Sequence, residues 1–307
     1  MRRKGRIISS DTFAAVIRHY MLSDKFLRLA KSTQENYGRP LKVAELPESL
    51  GAVPVDQMRP ALVQAFLDGL ADRPAAQKSA QTAMKSLEKW ALVRDLLPRP
   101  ITTGTEAPGS DGGHTPWTDE QVSLAERCAR PHIARVVTLA ANTGQRGSDL
   151  VKMRWSDIED VDGRPGINVV QQKTGIGLWV PFTATLQAAI SSWERRPGFI
   201  LLKEDGRPWT RQQLSDQWLR ERDTRAALAP LKEAGLVMHG LRGCAVVRLR
   251  RAGVSIPLIS DMVGMSAQMV TRYCRYSVQR DNALAAVHIL DRTAIERARA
   301  LKRDSGQ

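Results

Sequence analysis

Along most of the chain, apolar residues recur at the three- and four-residue spacing of a helix with one buried face. Up to residue 97 the pattern runs through DTFAAVIRHYMLSDKFLRLAKSTQENYGRPL, RPALVQAFLDGLA and AAQKSAQTAMKSLEKWALVRDLL, which predicts a small helical bundle. Residues 98–116, PRPITTGTEAPGSDGGHTP, hold Pro, Gly, Ser and Thr with no apolar period, the composition of a flexible linker. Beyond it, Thr118 followed three places later by Gln121 matches a capping box that opens a helix. HIARVVTLAANTG reads as a second helix, stopped by Gly144. The period then changes. INVVQQ and GLWVPF are short, β-rich and flank KTGI, so they predict a hairpin with Lys173 at its tip. Helical spacing returns in LQAAISSWERR, RQQLSDQWLRERDTRAAL, HGLRGCAVVRLRRAG, IPLISDMV, AQMVTRYCRY and NALAAVHILDRTAIERARALKR. The expected fold is mainly α with a small antiparallel β-hairpin sheet: a helical domain over 1–104, a linker over 105–116 and a second domain over 117–307. No internal repeat is visible.

The 307 residues, 42% of them hydrophobic, suit two cores better than one. A net charge of +14 and a pI near 10.2, shared by both halves of the chain, make a polyanion the first partner to consider. No stretch approaches the roughly 20 apolar residues of a spanning helix, and MRRKGRIISSDTF turns polar before any signal-like apolar core. A soluble, cytoplasmic protein with no membrane partner is expected. Cys128, Cys244 and Cys274 are odd in number and form no CxxC pair, which argues against a disulfide framework and a zinc site.

Chemistry on a phosphodiester builds negative charge on its oxygens, and fixed guanidinium forks answer that charge. In TGQRGSDLVKMRWSDIE, Arg146 follows the helix-ending Gly144, so it projects from a break between elements; its bland role would be a cap on the carbonyls of the preceding helix. His239 and Arg242, three apart at a helix start in VMHGLRGCAVVRLRRAG, face one point; a structural His is the ordinary alternative. Lys173 at the hairpin tip is either a solvated turn lysine or a mobile proton donor. VTRYCRY places Tyr273 and Tyr276, two of four tyrosines, one helical turn apart among arginines. A buried tyrosine ordinarily packs its ring and ties up its hydroxyl.

The order T-G-x-R-x-x-[ED]-L-x-x-[LM]-x-W-x-D-I, a hairpin lysine, H-x-L-R and then a tyrosine some thirty residues on resembles the tyrosine recombinases of the phage integrase type. The resemblance covers the chain beyond the linker and, more loosely, the helical DNA-clamping domain such proteins carry before it, giving a two-domain clamp. It implies that Arg146 and Arg242 grip a scissile phosphate, that Lys173 protonates the departing 5′ oxygen, and that His239 is an acid/base and phosphate donor. Tyr273 is then the nucleophile that forms a 3′-phosphotyrosyl bond, without metal, ATP or any other cofactor. The chain departs from the pattern in three ways. Met265 stands where a second histidine is usual, and a thioether cannot donate a hydrogen bond. The count from that position falls on Cys274, one residue past Tyr273, with Tyr276 in reserve. Asp149 replaces the more frequent Glu.

Candidate DNA contacts are the basic arm Arg2, Arg3, Lys4 and Arg6, the recurrent Lys78, Lys85 and Lys89, and the strip holding Arg248, Arg250, Arg272 and Arg275; solvated faces are the plain alternative. The resemblance implies double-stranded DNA with repeated elements as substrate, a homo-tetramer on DNA, and an accessory DNA-bending protein. The carboxy-terminal helix, with Leu284, Val287, Leu290, Ile295 and Leu301, docks either on its own domain or on a neighbour. Competing readings are a helix-turn-helix regulator built on VSIPLISDMVGMSAQMVTRYCR, a catalytically impaired relative, and a type IB topoisomerase-like relaxer.

Overall fold

The computed structural model describes residues 11–109, 113–274 and 279–304, and the chain divides into two compact units, Met1–Asp111 and Gly112–Gln307. The expectations for Arg2, Arg3, Lys4, Arg6, Arg275 and Tyr276 lie outside the described residues, as does the side chain of Leu301.

The first unit packs α1 (Phe13–Leu22), α2 (Asp24–Leu27), α3 (Lys31–Ala44), α4 (Pro60–Asp68) and α5 (Pro74–Leu92) around one core. Phe13, Val16, Ile17 and Tyr20 form the buried stripe of α1, at the spacing that one helix face requires. The run at the start breaks between α1 and α2 because Ser23 leaves helical geometry, its hydroxyl donating to the Tyr20 carbonyl at 2.6 Å and accepting from the Phe26 amide at 3.3 Å, and again before α3 at the non-helical Ala30. Helix α5 buries Ala80, Met84, Leu87 and Ala91 and leaves Lys78, Lys85 and Lys89 exposed on its outer side.

Composition placed loose chain from residue 98 onward, but Ile101 and Thr102 are buried, and the Glu88 carboxylate accepts from both their amides. Gln81 donates to the Thr105 carbonyl at 2.7 Å, and the Glu106 amide donates to Gln64 at 2.7 Å. A Pro- and Thr-rich segment cannot continue a helix, yet its backbone can still be tied down by carboxylate and amide side chains.

The second unit begins on the buried Pro116 and Trp117, whose indole donates to the Val237 carbonyl at 2.9 Å. It continues with α6 (Asp119–Cys128), α7 (Pro131–Thr143) and α8 (Gly147–Leu150), a three-stranded antiparallel sheet in the order β1 (Ile158–Val161), β2 (Arg164–Val170), β3 (Gly177–Pro181), then α9 (Ala184–Ser192), α10 (Arg211–Thr224), α11 (Ala229–Glu233), α12 (Gly240–Arg251), α13 (Ile256–Val263), α14 (Ala267–Cys274) and α15 (Gln279–Asp304). Capping boxes at Thr118 with Gln121 and at Thr210 with Gln213 fix the starts of α6 and α10. Gly144 (φ 63°) and Gly264 (φ 59°) end α7 and α13 in the left-handed region. The sheet is one strand larger than the expected hairpin: β1 pairs with β2 through a two-residue turn at Asp162 (φ 52°) and Gly163 (φ 76°). Among the described residues no helix is long and apolar enough to cross a membrane.

Candidate active site

The site gathers where α7, α12 and α13 meet the β2–β3 turn. Gly144 turns the chain out of α7, Gln145 goes inward, and Arg146 opens α8 in an extended conformation. Its guanidinium donates to the Gln171 side chain at 2.8 Å and lies 3.8 Å from Asp149. Asp149 is buried and accepts from the Gln172 amide at 3.0 Å, so the carboxylate fastens the turn carrying Lys173 while its other oxygen lies beside the Arg146 guanidinium without a hydrogen bond to it. A shorter Asp in place of Glu still reaches the Gln172 amide. Lys173 is exposed in that turn, which closes through Gln171 N to Ile176 O at 2.9 Å and Gly175 N to Gln171 O at 2.7 Å.

Arg242, 3% exposed, runs inward from α12 and donates to the carbonyls of Gly144 and Gly264, the second at 3.2 Å. The helix-capping role that a plain reading assigns to Arg146 therefore belongs to Arg242, which ties together the ends of α7 and α13. Burial first, and the Arg146 guanidinium second, push its pKa down to about 10; Asp149 and Tyr273 act in the opposite sense. Two guanidiniums thus face one region, and the cationic form of Arg242 persists at neutral pH.

His239 is the N-cap residue of α12, but its ring caps nothing. The ring meets His114 edge-on with centroids 5.1 Å apart and borders a recess shared with Gln145, Gly147, Arg211, Ser215 and Met238. It keeps an open side to solvent, yet partial burial and then His114, Arg242, Arg211 and Arg146 push its pKa down to about 4. The imidazole is neutral at physiological pH.

Tyr273 of α14 is 3% exposed and packs its ring beneath α12, against Gly243 and beside Pro116. It joins an apolar cluster with Val246, Ile259, Val263, Met265 and Val270. Met265 is core in this arrangement and presents no donor. Cys274 is half-buried, and burial raises its thiol pKa, which disfavours the thiolate a nucleophile needs.

The structure therefore brings Arg146, His239, Arg242 and Tyr273 into one neighbourhood and sets Lys173 on the adjoining turn. It does not gather all the expected DNA contacts. Arg248 is ion-paired with Asp119 of α6, and Arg250 donates to the Val254 carbonyl at 3.5 Å at its own helix end; Arg272 is half-buried. A charge strip counted along the chain cannot reveal a partner on a distant element. Sequence reasoning also missed Gln171, Arg211 and His114. Gln171 ends a strand of otherwise apolar character, a buried-strand position where a polar side chain is the only signal.

The phage integrase family model matches residues 119–280. The integrase of Enterobacteria phage 434 is 27% identical over 152 residues, 48% of this chain and 42% of that protein, so the chain spans less than half the length of this relative. In fold, the chain is similar to a lambda integrase fragment solved as a dimer bound to a COC′ core site, with TM-score 0.69 and 20% identity over 84% of this chain and 97% of that one. A lambda integrase tetramer bound to a Holliday junction gives TM-score 0.66 and 20% identity over 84% and 75%.

Proposed function

The chain belongs to the phage integrase family, and on that premise we propose that it is a site-specific DNA recombinase that cuts and rejoins DNA through a 3′-phosphotyrosyl intermediate. The observation that carries the reading is the meeting of Arg146, on the turn out of α7, with Arg242, which donates to the Gly144 carbonyl of that turn, while the Tyr273 ring packs on the same helix as Arg242 and His239 stands at its start. That is a cationic seat for one anionic linkage. The two guanidiniums stabilise the charge that grows on the non-bridging phosphate oxygens, an effect whose loss costs on the order of 10²–10³ in rate per donor. The Tyr273 oxygen bonds to phosphorus as the bond to the 5′ oxygen breaks. Lys173 gives that oxygen a proton, and His239 takes the proton of the phenol. A phenol near pKa 10 is only about a thousandth ionised at pH 7, but it leaves readily when a 5′ hydroxyl attacks in the reverse step. The bond energy stays in the protein–DNA link.

Tyr273 is buried in this state, so cutting requires α14 to release the ring toward DNA. The substrate is double-stranded DNA with repeated elements, held by a homo-tetramer in the cytoplasm, an assembly that fits the lambda integrase tetramer on a Holliday junction. Lys78, Lys85 and Lys89 extend the phosphate contact from the first unit.

The test is a nicked duplex built on the site that the purified protein protects from nuclease. A covalent adduct should survive denaturant in the parent and vanish in Tyr273→Phe while binding persists. An adduct lost instead in Tyr276→Phe moves the nucleophile. Binding with no adduct in the parent favours a regulator.

A further inference from the structure

We infer that Gln171 is the positioning residue of the phosphate site: its amide keeps the Arg146 guanidinium off Asp149 and ties the Lys173 turn to the corner between α13 and α14. The inference rests on the phosphodiester reading above and names what makes that seat work.

Gln171 is fully buried. Its oxygen accepts from Arg146 at 2.8 Å and from the Thr174 hydroxyl at 3.1 Å; its nitrogen donates to Gln145 at 2.9 Å and to the Val263 carbonyl at 3.0 Å. Both lone pairs and both N–H groups of the amide are therefore engaged. The amide is also wedged, because a Cβ on Gly264 would come within 2.4 Å of its nitrogen. One side chain thus joins the end of α7, the β2–β3 turn and the end of α13, whose next helix carries Tyr273.

Its importance comes from the group it holds away. The Asp149 Oδ2 is buried without a hydrogen-bond partner, 3.8 Å from the same Arg146 nitrogen that Gln171 binds. A buried carboxylate oxygen beside a guanidinium is a trap, since closure by about 1 Å makes a charge-assisted pair of ordinary length. With Gln171 in place, Arg146 is held at its present distance. Without it, the guanidinium closes on Asp149 and is withdrawn from phosphate.

A role limited to filling and satisfying the core would slow every substrate alike; a role exercised through Arg146 depends on substrate charge. The probe is the nicked duplex described above, made with either a phosphodiester or a methylphosphonate at the scissile position, the latter carrying one negative charge fewer. Gln171→Met should bind the duplex like the parent, within about threefold, and form adduct on the phosphodiester on the order of 10²-fold more slowly. On the methylphosphonate the deficit should shrink to about fivefold or less, because less charge is asked of Arg146. Adding Asp149→Asn should restore about tenfold on the phosphodiester, since a neutral amide does not capture the guanidinium. Equal deficits on both substrates, or no recovery with Asp149→Asn, would overturn the inference. If Gln171→Met does not fold, Gln171→Glu carries the comparison of the two substrates: it keeps the shape, and its carboxylate engages the Arg146 guanidinium in place of phosphate, so the deficit should again be larger on the phosphodiester than on the methylphosphonate. Absence of adduct in the parent brings down the recombinase reading itself, a result distinct from a charge-independent deficit.

Discussion

Replacing Gly243 with Ala tests how tightly the tyrosine is stowed. Gly243 lies inside α12, where an alanine ordinarily stabilises a helix by about 0.8–1 kcal/mol over glycine. Here the added methyl would stand 2.8 Å from both Cδ1 and Cε1 of Tyr273 and 3.0 Å from Pro116, well inside van der Waals contact. Overpacking of this kind costs about 1–3 kcal/mol. The two effects oppose, so Gly243→Ala should be destabilising by about 0–2 kcal/mol in the parent. In a Tyr273→Ala background most of the obstruction is gone, and the same methyl should stabilise by about 0.5–1 kcal/mol. The sign change, a coupling of about 1–3 kcal/mol, is the decisive quantity because it cancels whatever each substitution does alone. Scanning calorimetry of the four full-length proteins reads it; for a unit of this size 1 kcal/mol moves the transition by about 2–4 °C. Tetranitromethane should nitrate Tyr273 faster in Gly243→Ala than in the parent, as the ring is displaced from under α12. Additive substitutions with unchanged nitration would refute the close packing of Tyr273 on Gly243, and with it the claim that cutting needs α14 to release its ring.

Three further outcomes are expected. His239 has a folded-state pKa of about 4 against about 6.5 when unfolded, so the unfolded chain takes up the proton first; stability should fall as pH drops from about 6.5 toward 4, and His239→Gln should flatten that limb in pH-dependent urea unfolding. Arg242→Lys, unable to span the Gly144 and Gly264 carbonyls as a fork, should lower the unfolding temperature as well as the adduct rate, the latter by about 10²-fold or more. Lys78→Gln, Lys85→Gln and Lys89→Gln, made together, should leave the fold intact and reduce the salt slope of DNA binding by up to about 0.9 for each phosphate contact removed; an unchanged slope would return these lysines to a solvated face.

Most helices were legible because they owe their place to an apolar stripe, and because Thr118 and Gly144 mark ends with a side-chain cap and a left-handed turn; the structure adds matching marks at Thr210 and Gly264. Strand β1 was harder to read: Ile158–Val161 is half charged and mostly exposed, so its ladder hydrogen bonds to β2 leave little apolar alternation behind. The Asp162–Gly163 pair was its one available sign, a two-residue turn with both φ angles positive. Residues 98–106 misled in the opposite way. Their composition correctly excludes a helix, but it says nothing about whether Glu88, Gln81 and Gln64 will fasten their backbone.

At the site, the sequence displays side chains whose chemistry is unusual and conceals those whose task is to hold them. Arg146, His239 and Arg242 each have a routine capping or core role when taken alone, and stand out because they fall together in the order of a family motif. Gln171 does not, since a glutamine after two valines looks like the end of a strand; its four hydrogen bonds exist only once α7, the sheet and α13 have met. Arg242 shows why the bland and the chemical reading of such a residue need not compete. The hydrogen bonds that anchor it to Gly144 and Gly264 are structural, and they fix a buried cation beside Arg146 before any phosphate arrives. Preorganisation of that kind is what lets a cation stabilise a transition state without reorienting during the reaction. The same holds in reverse for Tyr273, which packs as an ordinary core tyrosine and, in the proposed reaction, is released by movement of α14. In the proposed role its availability to substrate is set by packing energy, which a single methyl on Gly243 perturbs.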